Sequence, residues 1–164
     1  MPVLVGFVPT TEGRAALRRA VEECRLRRTR LIVVSSEQTP AENYGARRPA
    51  LEASEAEVRS ICAELGLTEP ELEIRWIRDA YEPADDVLAV AEETDAELIV
   101  IGLRRRTGVG KRILGGSAQR ILLDSSCPVL AVKIDQRAPL DDSGHDGEVF
   151  TLSVSSVDEH QSIR

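Results

Sequence analysis

Leu98-Ile99-Val100-Ile101-Gly102-Leu103-Arg104-Arg105-Arg106-Thr107-Gly108-Val109-Gly110-Lys111-Arg112-Ile113-Leu114-Gly115-Gly116-Ser117-Ala118-Gln119-Arg120-Ile121 passes from an apolar run, through a loop of glycines and basic residues, into a helical pattern. The run Leu98 to Ile101 has the length and β-branching of a strand buried on both faces. The loop carries Arg104, Arg105, Arg106, Lys111 and Arg112 without one acid. Glycines let main-chain amides converge on an anion, and a helix N-terminus adds unpaired N–H groups. A solvated basic loop without a ligand has the same composition, so chemistry alone leaves both readings open.

Four more runs of the same kind flank this unit: Val3 to Phe7, Leu31 to Val34, Leu72 to Ile77 and Pro128 to Ile134. Helical patterns separate them. Glu12 to Arg27 places Ala16, Leu17, Ala20, Val21 and Cys24 on one face. A helix from about Pro49 to Leu65 ends at Gly66, and Thr39 to Arg48 before it reads as a loop. Pro83 opens a helix to about Thr94, and another spans about Gly116 to Leu123. The alternation predicts an α/β fold with an open five-stranded parallel sheet, doubly wound. Such sheets bind ligands beyond the carboxyl ends of their strands, which points to the loops after Phe7, Val34 and Ile101.

Composition narrows the function. The 164 residues fit one domain plus an appendage. Aromatics are 3% and the net charge is −7, which argues against stacking on single-stranded nucleic acid and against DNA or an anionic membrane as the main partner. No basic leader and no membrane-length apolar run is read. Cys24, Cys62 and Cys127 form no CxxC pair, so a reducing, cytoplasmic compartment is expected. His145 and His160 both fall in the last twenty residues; no Ser-His or Cys-His unit is available to the domain, and no metal site is expected. Asp85-Asp86 and Glu92-Glu93 read as helix-surface acids, and Glu12 as favourable charge at a helix N-terminus. The expectation is therefore that the chain is not an enzyme.

A change of composition after Asp135 divides the chain into a domain, 1–135, and an acidic tail, 136–164. The tail holds Asp141, Asp142, Asp146, Glu148, Asp158 and Glu159 against Arg137 and Arg164. Its composition reads as disorder, whereas the alternation of Phe150, Leu152 and Val154 reads as an added or swapped edge strand.

Gly108-Val109-Gly110-Lys111 is not a Walker loop, because Arg105 stands where that pattern needs glycine and Arg112 where it needs a hydroxyl. The chain instead resembles the universal stress proteins. The resemblance rests on Val3-Leu4-Val5-Gly6-Phe7, Gly13-Arg14-Ala15-Ala16-Leu17, Asp95-Ala96-Glu97-Leu98-Ile99-Val100-Ile101-Gly102 and Ser126-Cys127-Pro128-Val129-Leu130-Ala131-Val132-Lys133. It implies a Rossmann-like nucleotide-binding α/β fold and a cytoplasmic homodimer paired through the last strands. The segment Pro128 to Ile134, with Val129, Leu130, Val132 and Ile134, would be the pairing edge.

One branch of that family binds ATP through G-x-x-G, a spacer and G-[ST]. Here Gly102 and Gly115 take the first and third glycine positions, Arg105 takes the second, and Gly116 takes the hydroxyl position with Ser117 one residue later. Val8 stands where that branch tends to carry an acid. The resemblance thus implies a site drawn from Val8, Val34, Gly102, Arg104, Arg105, Gly110, Lys111, Gly115, Gly116 and Ser117, for ATP or another adenine nucleotide. The alternative is a structural or regulatory dimer without nucleotide, its basic loop meeting an acidic protein or the chain's own tail.

Overall fold

The computed structural model describes residues 1–37, 44–78, 82–103, 115–134 and 149–152. Its strands are β1 (Val3–Gly6), β2 (Leu31–Glu37), β3 (Leu72–Arg78), β4 (Leu98–Leu103), β5 (Val129–Lys133) and β6 (Val149–Leu152). Its helices are α1 (Thr11–Arg27), α2 (Tyr44–Glu64), α3 (Pro83–Thr94) and α4 (Gly116–Asp124), with a 3-10 turn at Glu69–Glu71. The strands form one sheet in the order β3-β2-β1-β4-β5-β6. The first five run parallel, as expected, and β6 is antiparallel to β5.

The apolar runs are continuous because both faces of the sheet are covered. Val3, Val5, Phe7, Leu31, Val33, Leu98, Val100, Leu130 and Val132 pack with α1 and α2. The alternate residues, Leu4, Ile32, Val34, Ile99, Ile101, Val129 and Ala131, pack with α3 and α4. The Thr10 hydroxyl caps α1 by accepting from the Gly13 N–H at 3.1 Å. At the helix's other end Arg28 adopts a left-handed φ of 55° that closes it. Glu23 is buried on α1 at 8% exposure, because Arg19 and Arg27 bracket its carboxylate at 2.6 and 3.2 Å.

Two expectations change. Helix α2 begins at Tyr44 and not near Pro49, so part of the expected loop is helical; Ala46, Arg47 and Arg48 are strong helix formers and outweigh the proline as a start signal. The expected free edge at Pro128 to Ile134 is instead paired with β6 over Val129 to Val132. A strand offering an open row of N–H and C=O groups gains a ladder when a nearby segment supplies one.

Candidate functional site

The order of the sheet reverses between β1 and β4. From β1 the chain next adds β2, and β4 lies on the opposite side, so the loops leaving these strands diverge and open a crevice at their carboxyl ends. A cavity of about 500 Å³ occupies this place. Gly6, Phe7 and Val8 leave β1 along its floor, Val34 and Ser36 come from β2, and Ile101 and Gly102 from β4. The first turn of α1 adds Thr10, Glu12 and Gly13, and α3 adds Pro83 and Val87. Gly115, Ser117, Ala118 and Ile121 bring in the N-terminal half of α4.

Most of this wall is apolar, and its polar groups sit at the rim. Ser36 Oγ donates to Asp86 Oδ2 at 2.8 Å, tying β2 to α3. Ser117 Oγ donates to Glu82 Oε1 at 3.2 Å, tying the first turn of α4 to the residue preceding α3. Deeper along the same helix pair, Arg120 reaches Asp85 at 2.7 Å. Helix α4 has no side-chain cap and no acid in its first turn. Its leading amides therefore keep their affinity for an anion.

The glycines divide by what surrounds them. A Cβ at Gly13 would stand 1.9 Å from the Val8 main-chain oxygen, and one at Gly102 would stand 2.4 Å from the Glu12 main-chain oxygen. These two allow the first turn of α1 to close on the sheet. At Gly115 and Gly116 a Cβ would meet no atom of the described residues within 4 Å. Neither has a positive φ, so neither the fold nor its backbone conformation asks for glycine there.

Five of the residues expected at the site, Val8, Val34, Gly102, Gly115 and Ser117, line the cavity. Gly116 is the first residue of α4, between two lining residues. Arg104, Arg105, Gly110 and Lys111 lie outside the described residues. Sequence reasoning missed Ser36, Glu82 and Asp86 as rim groups, since their pairings join residues 50 and 35 positions apart and no local spacing marks them. Glu12, read only as a helix-terminus charge, also lines the cavity.

Two of the three thiols are far from nucleophilic. Burial pushes Cys24 up to about 12 and Cys62 up to about 11, and burial also raises Cys127. All three are free. Among the described residues no group of three or more His, Cys, Asp or Glu is placed to hold a metal ion, and no helix is long and apolar enough to cross a membrane.

A doubly wound parallel sheet with a crevice at its switch point, faced by a glycine-led helix N-terminus, defines an α/β protein of the Rossmann-like class. The particular family follows from comparison: residues 1–133 match the Universal stress protein family, and the chain belongs to it. It is 37% identical over 131 residues to a universal stress protein of Mycolicibacterium smegmatis, covering 80% of this chain and 96% of that one. It superposes on the universal stress protein from Archaeoglobus fulgidus with a TM-score of 0.69 and 31% identity, over 80% of this chain and 97% of that chain. A structure of the Archaeoglobus fulgidus protein in complex with dAMP gives a TM-score of 0.60 at 30% identity, over 80% and 96% of the two chains. A universal stress protein in complex with cAMP shares the fold, with a TM-score of 0.62 and 22% identity over 80% and 96%.

Proposed function

We propose that this universal stress protein is a binding protein, not a catalyst, that holds an adenine nucleotide in the cavity at the switch point. The observation that carries the reading is the pairing of an apolar crevice with an uncapped, glycine-led helix at its rim. Val8 and Val34 would flank the base and sugar. The amides of Gly115, Gly116 and Ser117 would receive phosphate, and Arg104, Arg105, Gly110 and Lys111 would add charge and close main-chain approach from the loop. A cavity of about 500 Å³ with a mostly apolar wall supports this ligand class. A solved relative at 30% identity is described in complex with dAMP, which supports the class.

ATP would bind weakly. Val8 offers no hydrogen bond where an acid would, and Gly116 offers no hydroxyl. A hydrogen bond to a charged group contributes about 1.5 to 3 kcal/mol, so such losses lower affinity by orders of magnitude. We place the protein in the cytoplasm, consistent with its three free thiols. A homodimer through Pro128 to Ile134 would require displacement of β6 from that edge.

The test is direct. Protein purified without added ligand is denatured, and any released nucleotide is identified by mass; titration calorimetry with ATP, AMP and cAMP then ranks affinity. Release of an adenine nucleotide, or micromolar binding of one, supports the reading. Absence of binding for all three overturns it, and submicromolar ATP affinity would show that Val8 and Gly116 matter less than argued. Nucleotide recovered chemically intact supports binding without turnover.

A further inference from the structure

The sheet continues past the family domain. Residues 1–133 match the family and hold all five parallel strands, while β6, Val149–Leu152, lies outside that match. It pairs Leu152 with Val129, Thr151 with Leu130, Phe150 with Ala131 and Val149 with Val132. Without β6 the order β3-β2-β1-β4-β5 would end on β5, leaving one row of its main-chain N–H and C=O groups unpaired.

That edge lacks the usual defences against pairing. Val129, Leu130, Ala131 and Val132 are apolar and buried, and they carry no proline, charge or bulge; the charged Lys133 comes only at the end of the strand. Such an edge is a template for another extended strand. A second copy offers an identical one, and antiparallel pairing of like strands closes on itself by a two-fold axis.

The hold of β6 on this edge is a matter of tethering. Residues 134–148 join β5 to β6, whereas an antiparallel hairpin needs only about two to five. The pairing covers four residues of each strand. A strand joined to its docking edge by a segment of this length acts at an effective concentration of about millimolar order, which outcompetes a free copy at micromolar concentration.

We propose that β6 is a displaceable cap on a strand-docking surface: the chain's own tail strand occupies the β5 edge and competes with β5 of a second copy for it. The tail thereby sets the oligomeric state. This inference does not depend on nucleotide binding.

The test compares the full chain with two variants by sedimentation velocity, from low micromolar to hundreds of micromolar. In the first, Phe150→Pro and Thr151→Pro together remove adjacent N–H groups, so one ladder donor is lost whichever of the two faces β5. The second ends at Asp135, about the length over which the M. smegmatis relative aligns with 96% of itself. Circular dichroism and a cooperative melt establish that each variant is folded. The full chain is expected to be monomeric at low micromolar concentration, with both variants dimerising at least about tenfold more tightly. Equal dissociation constants in all three would overturn the proposal, and so would folded variants that stay monomeric throughout the range.

Discussion

Gly102 lies directly against Glu12: a Cβ on the glycine would approach the Glu12 main-chain oxygen to 2.4 Å and its carbonyl carbon to 2.6 Å. The end of β4 and the first turn of α1 thus meet main chain to main chain. Because Glu12 also lines the cavity, this contact fixes the distance between two of its walls. A glycine that resembles the start of a phosphate-binding motif is required here by the packing of a helix on a strand.

Replacing Gly102 by alanine should therefore destabilise the fold. Main-chain atoms cannot swing aside, so the methyl group must displace α1 or strain β4, at about 1 to 3 kcal/mol. For a chain of this size that lowers Tm by several degrees. Differential scanning calorimetry reads the shift, and an unchanged Tm would show that α1 yields freely.

Gly115→Ala should do the opposite. With no described atom within 4 Å of its Cβ and an ordinary φ of −60°, alanine should fit without strain and stability should hold or rise slightly. The methyl group would project where a phosphate is proposed to approach the main chain. Nucleotide affinity should fall severalfold while Tm does not, and calorimetric titration beside a melt separates the two. Unaltered affinity would place the phosphate elsewhere.

The difference between these glycines marks how far the sequence could be read. Buried strands declared themselves, since Val3, Leu31, Leu98 and Val129 open β-branched runs that only a sheet covered on both faces explains. The carboxyl-end loops after Phe7, Val34 and Ile101 were also legible, because alternating elements imply a parallel, doubly wound sheet, which binds ligands beyond the carboxyl ends of its strands. What a single glycine is for was not legible. Gly102 and Gly115 look alike in the chain, and only the position of Glu12 separates them. Ser36 with Asp86, and Ser117 with Glu82, were hidden for the same reason. Asp86 reads as a surface acid on α3 until β2 is brought beside it. The short β6 was left open because four alternating residues in an acidic tail carry little pattern of their own.

The buried thiols predict an alkaline limit to stability. Cys24 and Cys62 rise from an ordinary 9.0 to about 12 and about 11 in the folded chain, mainly because burial disfavours the thiolate. Above pH 9 the unfolded chain loses these protons first. Stability present below that pH should decline progressively as pH rises toward 11 and 12. Urea midpoints at pH 7, 9 and 10.5 should show the decline, with a shallower slope in Cys24→Ala than in the parent. At pH 8 a thiol reagent should label Cys24 and Cys62 only on unfolding. Fast labelling of all three cysteines in the native state would contradict this.

The rim carboxylate of Glu82 bears on what the site prefers. It accepts from Ser117 within the first turn of α4, so a negative charge already stands beside the amides proposed to receive phosphate. A second anion must share that field or displace the carboxylate. A charge near a helix N-terminus is worth about 0.3 to 1 kcal/mol. Glu82→Gln keeps an oxygen able to accept from Ser117 and removes the charge, so AMP and ATP should bind about two- to fivefold more tightly. Adenosine, which has no phosphate, should not respond. The gain should be greatest at low salt and fade as ionic strength rises, because the interacting groups lie at a solvent-accessible rim. An equal gain for adenosine would mean that Glu82 acts on the shape of the cavity. No gain for any ligand would place the phosphate away from α4.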